Sequence, residues 1–325
     1  MKVVITGVGG FIGFRFAERA LERGWEVLGI DIDEAACLRA EEIGVTTVTS
    51  DINDQSTLAA ALDGQDLLIH TAAIVDEGTN RELSYRVNVE GTRSVCSAAK
   101  AAGVPRLLHL SSVMVYGFEY PEGVTEDHPL PSYDNAYNET KALSEKVARS
   151  FHDPGGLEVM ILRPGDVYGP RSRSWVLRPL EVMKAGLFNL PAGGRGIINH
   201  VHVDNLIDAA FLAIDKDATG EVFNITDGEA TACLDFFAYH ARMLGKKSTP
   251  ALPTALVKTL IAISEPFFRL QGKEPPATRE ALRFLLRFSK VSTEKARHEL
   301  GYEPRISLQE GMKDLEATLR ETGVL

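Results

Sequence analysis

Cysteine is scarce: Cys37, Cys96 and Cys233 lie far apart in 325 residues, with no C-x-x-C pair. That argues against a disulfide framework and fits reduced intracellular thiols buried as small apolar groups. Basic charge is in deficit, 35 Lys and Arg against 45 Asp and Glu, so no nucleic-acid partner is expected. Long apolar runs are missing as well. The most apolar late stretch, residues 251–270, is broken by Pro253, Lys258, Glu265 and Pro266, short of the roughly 18 residues of a membrane span. It reads as helical cover over a pocket rather than an integral-membrane or membrane-surface segment. Met1 leads straight into Val3-Val4-Ile5, without the basic and apolar regions of a secretory signal, so a cytoplasmic chain is expected. The histidines show no metal-ligand spacing, and no metal site is expected.

What is present is a regular alternation. Short β-branched runs at Val3–Thr6, Glu26–Asp31, Val45–Thr49, Leu67–Thr71, Leu107–Ser111 and Glu158–Arg163 read as strands. Phe11–Arg23, Ser56–Leu62, Glu82–Ala102 and Ala136–Phe151 between them read as helices. Strand-helix alternation implies an α/β fold, a doubly wound parallel sheet covered on both faces. After Pro164 proline and glycine become frequent, which marks a smaller, mostly helical C-terminal lobe. The expected division is a dinucleotide-binding domain over residues 1–165 and a substrate lobe over 166–325. Segments such as 197–226, with a strand at Val222–Ile225, are expected to return to the first domain.

The turn Thr6-Gly7-Val8-Gly9-Gly10-Phe11-Ile12-Gly13 sits where the first strand ends and a helix begins. Gly7 permits the tight turn, Gly10 lets backbone N–H groups approach a pyrophosphate, and Gly13 permits close helix-on-strand packing. The helix start at Phe11 and Ile12 supplies free N–H groups and a positive dipole end. Asp31 follows at the end of the second strand, where a carboxylate can accept from both ribose hydroxyls and would repel a 2′-phosphate. No basic residue follows before Arg39. The expected cofactor is therefore NAD rather than NADP. Asp31 could equally cap the next helix, and the two roles are compatible.

In Tyr137-Asn138-Glu139-Thr140-Lys141 helical spacing puts the tyrosine and lysine on one face. A cation beside a phenol favours the phenolate and is expected to bring its pKa toward the working range. Tyr137 could then exchange a proton with an alcohol or ketone while Lys141 also holds the nicotinamide ribose. Ser112, in Leu110-Ser111-Ser112-Val113-Met114-Val115-Tyr116, falls at the carboxyl end of a strand, where open α/β sheets bind ligands. It could orient the substrate oxygen; a turn cap is the plainer role.

Taken together, these segments resemble the extended short-chain dehydrogenase/reductase family, the NAD-dependent epimerase/dehydratase superfamily with its Rossmann sheet, across nearly the whole chain. Beyond the glycine turn, Asp51-Ile52 matches the family's adenine-side pair and His70-Thr71-Ala72-Ala73 the segment beneath the cofactor. Asn88-Val89-Glu90-Gly91-Thr92, Arg163-Pro164-Gly165-Asp166-Val167-Tyr168-Gly169-Pro170 and His202-Val203-Asp204-Asn205 match three further signatures. The resemblance implies that Tyr137 is the catalytic acid/base, Lys141 its partner and Ser112 the catalytic serine. It places Asp51, Ile52, Ala72 and Ala73 along the cofactor and Pro164 and Val167 beside the nicotinamide. Asn88 is implied as a structural or relay residue, and Arg163, His202 and Asp204 as scaffold. It also implies a homodimer built on helices Glu82–Ala102 and Ala136–Phe151.

Residues 163–179 and 296–304 are closest to the 3β-hydroxysteroid or sterol dehydrogenase branch. The expected function is hydride transfer between NAD and a secondary alcohol or ketone on a small molecule, with a 3β-hydroxysteroid as a candidate substrate. The alternative is a nucleotide-sugar epimerase, for which Arg178, Arg269, Arg283 and Arg287 are candidate diphosphate ligands.

Overall fold

A computed structural model of the chain describes residues 1–75, 80–272 and 275–325. Its centre is a parallel sheet of seven strands: β1 (Lys2–Thr6), β2 (Glu26–Asp31), β3 (Thr46–Thr49), β4 (Leu67–His70), β5 (Arg106–Leu110), β6 (Glu158–Pro164) and β7 (Val222–Ile225). The spatial order is β7-β6-β5-β4-β1-β2-β3, so the direction of winding reverses between β1 and β4. In register, Thr6 lies between Ile30 of β2 and His70 of β4. The carboxyl ends of the central strands therefore open on one crevice, the place where such sheets bind ligands.

Both faces of the sheet are covered, which is why the central strands read as unbroken apolar runs. On one face Val3, Ile5, Ile69 and Leu108 pack with Phe16, Ile207 and Phe211 from helices Phe11–Glu22 and Val203–Asp215. On the other, Val4, Leu68, Leu107 and Val159 meet Leu58, Val95 and Ala148 from helices Gln55–Leu62, Gly91–Ala101 and Ala136–Ser150. Each fully buried Leu, Ile or Phe contributes roughly 1.5–3 kcal/mol.

One expected element differs. The helix at Glu82–Ala102 is interrupted: an α-helical turn at Arg81–Tyr85 passes through a π-helical segment, Arg86–Glu90, before Gly91–Ala101 resumes. At the junction a β-carbon on Gly91 would lie 2.5 Å from Cδ1 of Ile52. The glycine lets the helix settle against the loop after β3.

The later part of the chain builds a second core. Tyr168, Val176, Leu180, Phe236, Phe237, Met312 and Leu315 gather from helices Arg178–Lys184, Cys233–Met243 and Leu308–Glu321 and the segments beside them. Ser307 starts the last helix with a reciprocal capping box to Glu310. Helix Thr254–Leu270 and the short helix Arg279–Phe284 meet through Val257, Ile261 and Leu282. No helix among the described residues is long and apolar enough to cross a membrane.

Candidate functional site

The glycine turn is shaped by its own backbone. Gly7 has φ +73°, and a β-carbon there would sit 2.7 Å from Cα of Ala72. A β-carbon on Gly13 would sit 2.2 Å from the Gly7 carbonyl oxygen, so helix and strand can approach only through glycine. Gly10 faces milder crowding, 3.2 Å from the same oxygen. It is the N-cap of helix Phe11–Glu22, makes no side-chain cap bond, and no acid occupies the first turn. The helix start thus keeps N–H groups for an anion, which is what a pyrophosphate needs.

Gly9 has a role that the spacing of the turn does not signal. Its N–H donates to Oδ2 of Asp31 at 2.9 Å, and a β-carbon there would strike Cβ of Ala36 at 2.2 Å. Asp31 is not the helix cap. Oδ1 of Asp31 accepts from the Asp33 N–H at 3.1 Å, and Asp33 caps helix Glu34–Glu41. The turn and the acidic residue are therefore one hydrogen-bonded unit, with the carboxylate held at the edge of the crevice. Arg171, also unforeseen, adopts φ +73° and donates to the Gly9 carbonyl at 3.4 Å, its guanidinium 4.1 Å from the Phe14 ring centroid.

Asp51 accepts from the Asn53 N–H at 2.9 Å and from Arg86 at 2.8 Å, with Ile52 buried beside it. Asn88 is a clamp. Its Oδ1 accepts from the Ile74 N–H at 2.7 Å, while Nδ2 donates to the Ile74 carbonyl and to Thr140 Oγ1, both at 3.0 Å. The π-helical segment thereby ties the loop carrying Ala72 and Ala73 to the helix carrying Tyr137 and Lys141. His70 bridges the sheet to the same region, from Thr6 Oγ1 at 2.7 Å to Thr92 Oγ1 at 2.9 Å.

A cavity of about 680 Å³ opens at the carboxyl ends of the strands. Phe11, Ile12, Ala73, Ser112, Tyr137, Lys141, Pro164 and Val167 line it. The remaining named residues, Gly7, Gly10, Gly13, Asp31, Asp51, Ile52, Ala72 and Asn88, lie outside that lining, shaping the turn, the ribose edge and the supports just described. Elsewhere the wall is mainly apolar, with Met114, Trp175, Phe188, Phe237, Val257, Ile261, Phe268 and Phe284, and carries Arg173, Arg178 and Asn189 among its polar members.

Three polar groups meet at the boundary. Ser112 caps the 3₁₀ turn Val113–Tyr116, accepting from the Met114 N–H at 3.1 Å, and its hydroxyl favours the ionised form of Tyr137. Burial holds the Tyr137 hydroxyl above the ordinary tyrosine range; Ser112 opposes this and the field of Asp166 adds to it. The expected depression by Lys141 does not appear, because the ammonium is directed elsewhere. Its Nζ donates to the Leu110 carbonyl, and burial pulls it from 10.5 down to about 8 against the attraction of Glu145.

Glu145 belongs to a buried network that the sequence did not disclose. It accepts from Arg163 Nε at 2.9 Å and Nη2 at 2.6 Å, and from the Ser111 hydroxyl at 2.7 Å. Arg163 Nη1 donates to Tyr116 Oη at 2.6 Å, whose hydroxyl donates to Asn224 Oδ1 at 2.9 Å. Strand β7 is thereby fastened to the segment carrying Ser112. His202 caps helix Val203–Asp215, and Asp204 accepts from Arg15 at 2.7 Å, so both are scaffold in the structure. No metal-binding cluster occurs among the described residues.

A family model described as the NAD dependent epimerase/dehydratase family matches residues 3–226. The chain belongs to the NAD-dependent epimerase/dehydratase family. It is an enzyme of that family, and its cofactor is NAD. A 4-hydroxy-2-methyl-3-oxo-4-farnesyl-3,4-dihydroquinoline-1-oxide ketoreductase of Stigmatella aurantiaca is 28% identical over 97% of this chain and 96% of its own length. A 3-beta-hydroxysteroid dehydrogenase of Mycolicibacterium neoaurum is 29% identical, over 96% and 90%. Among solved structures, DesIV, a dTDP-glucose 4,6-dehydratase of Streptomyces venezuelae with NAD bound, superposes with a TM-score of 0.81 at 25% identity, covering 99% of this chain and 97% of that one. The glycine turn, Asp31 and the uncapped helix start fit the family's NAD: together they offer backbone donors to a pyrophosphate and a carboxylate to a ribose.

Proposed function

We propose that this enzyme transfers hydride between NAD and a secondary alcohol or ketone carried on a largely apolar, steroid-like molecule. The observation that carries the reading is the cavity itself, which passes from Ser112, Tyr137 and Lys141 into a wall of aromatic and aliphatic side chains. NAD supplies the hydride acceptor when bound. Tyr137 exchanges the substrate proton at its hydroxyl oxygen, Ser112 favours its ionised form and orients the substrate oxygen, and Lys141 holds the nicotinamide ribose. Gly7, Gly10, Phe11, Ile12 and Gly13 cradle the pyrophosphate, with Arg171 adding a cation beside the turn. Asp31 takes the adenosine ribose and Asp51 with Ile52 the adenine side. Ala72 and Ala73 pass beneath the cofactor, Pro164 and Val167 flank the nicotinamide, and Asn88 acts by positioning.

A diphosphate-bearing substrate fits less well. Arg287 is fully buried against Asp166 at 2.6 Å. Arg283 pairs with Asp134 at 3.0 Å and Arg269 with Glu265 at 2.8 Å, and neither lines the cavity. Arg178 does line it, but donates to the Pro275 carbonyl and pairs with Glu181. We also infer that residues 1–165, joined by 197–226, form the cofactor domain, that residues 166–325 supply the substrate lobe, and that the chain works as a cytoplasmic homodimer. Light scattering tests the last point.

The purified enzyme, given NAD and a panel of hydroxysteroids and long-chain secondary alcohols, is expected to generate NADH. Silence across that panel, with interconversion of UDP-sugars and no net NADH, would replace this reading with the epimerase one.

A further inference from the structure

Helix Thr254–Leu270 has two apolar faces. One is turned inward, where Val257, Ile261, Ser264 and Phe268 line the cavity. The other is turned to solvent, with Leu256 46% exposed, Leu260 45%, Ile263 69%, Phe267 58% and Leu270 89%. These five recur at alternating spacings of four and three, so they form one stripe along the helix. Ala255, Thr259, Ala262 and Pro266 are exposed beside it. At about 100° per residue these nine side chains cover roughly 160° of the helix surface without a charge. Thr259, the polar member, donates its hydroxyl back to the Ala255 carbonyl at 3.0 Å. Lys258, Glu265 and Arg269 fall outside that arc, Arg269 bonded to Glu265.

Exposed apolar patches of this kind mark a surface that is covered in use. Two observations identify the cover. The arc is bordered by charge along one side only, at Lys258, Glu265 and Arg269, and its hydroxyl donor, Thr259, is spent on the Ala255 carbonyl, so it offers a protein partner few of the hydrogen bonds that interfaces carry. And in a chain with 35 basic and 45 acidic residues, segment 251–290 reverses the balance, with seven Lys or Arg against three Asp or Glu. One of the seven, Arg287, is buried. On the helix itself the exposed Lys258 and Arg269 border the arc while Glu265 is largely covered, and a basic border on an apolar helix face is complementary to an anionic lipid surface. The stripe also runs into the cavity: Leu260 belongs to both, and Leu187, 48% exposed, lines the cavity as well.

We propose that helix Thr254–Leu270 docks its outer face on an anionic lipid surface and that the apolar substrate enters the cavity from that surface past Leu260 and Leu187. The second clause rests on the apolar-substrate reading above; the docking itself does not.

The test is sedimentation of the full chain with vesicles of phosphatidylcholine alone and of phosphatidylcholine with phosphatidylglycerol, using an Ile263→Glu, Phe267→Glu double variant as comparison. Neither residue lines the cavity. The unaltered chain is expected to bind the anionic vesicles, more weakly at high salt. The double variant should bind at least tenfold less, since each buried Ile or Phe is worth on the order of tenfold in partition. NADH production from a water-soluble alcohol should be unchanged in the variant, and circular dichroism should show it folded. Failure of the unaltered chain to bind anionic vesicles overturns the proposal, as does undiminished binding by the variant. A double variant that only converts a dimer to a monomer also overturns it, assigning the stripe to a second copy. Lost docking with retained turnover separates this inference from the proposed reaction.

Discussion

Lys141 gives a test in which activity and stability move in opposite directions. It is 5% exposed, and burial brings it from 10.5 down to about 8. That difference corresponds to about 3 kcal/mol against the charged form in the folded protein. The folded-state pKa lies below the unfolded one, so between about pH 8 and 10.5 the unfolded chain holds more protons. The lysine's contribution is therefore unfavourable below that window and is relieved as pH rises through it. Lys141→Met removes the buried charge but leaves the Leu110 carbonyl without its donor, costing about 1–3 kcal/mol. At neutral pH the variant should match or exceed the parent in stability by about 1–2 kcal/mol, while kcat falls about 10²–10⁴-fold.

The pH dependence is the sharper measurement, because the carbonyl cost cancels. From about pH 7 to pH 10 the stability of the parent should rise against that of the variant by about 2.5 kcal/mol, or roughly 4 °C in Tm. Melting curves of both proteins across that range give the difference directly. Parallel curves would show that Lys141 titrates at its ordinary value and would remove the buried-charge argument.

Tyr137→Phe should lower kcat by about 10²–10⁴ while changing stability by only about 1 kcal/mol, since the residue lines the cavity and loses only a hydroxyl; NADH formation and melting report the two. Glu145→Gln, which breaks the buried pair with Arg163, should destabilise the fold by about 3–5 kcal/mol in denaturant titration. Gly13→Ala places a methyl 2.2 Å from a backbone oxygen, so calorimetry should find NAD binding lost or severely weakened. Asp31→Asn should narrow the preference for NAD over NADP by about tenfold or more, read from the two dissociation constants, because the carboxylate that repels the 2′-phosphate is gone.

The alternation of apolar runs, the glycine turn and the Y-x-x-x-K pair made the sheet, its winding and the cofactor legible in the chain itself. These signals are local, since a parallel strand buried on both faces must be apolar throughout and a tight turn under a pyrophosphate must use glycine. Tertiary structure decided what depends on partners distant in sequence. It joined Gly9 to Asp31, directed Lys141 to the Leu110 carbonyl rather than toward lowering Tyr137, and consumed Arg287 in a pair with Asp166. It also showed that residues 254–270 cover a cavity with one apolar face and leave another in solvent. In sequence those two faces are a single hydrophobic pattern; only packing tells which side is already occupied.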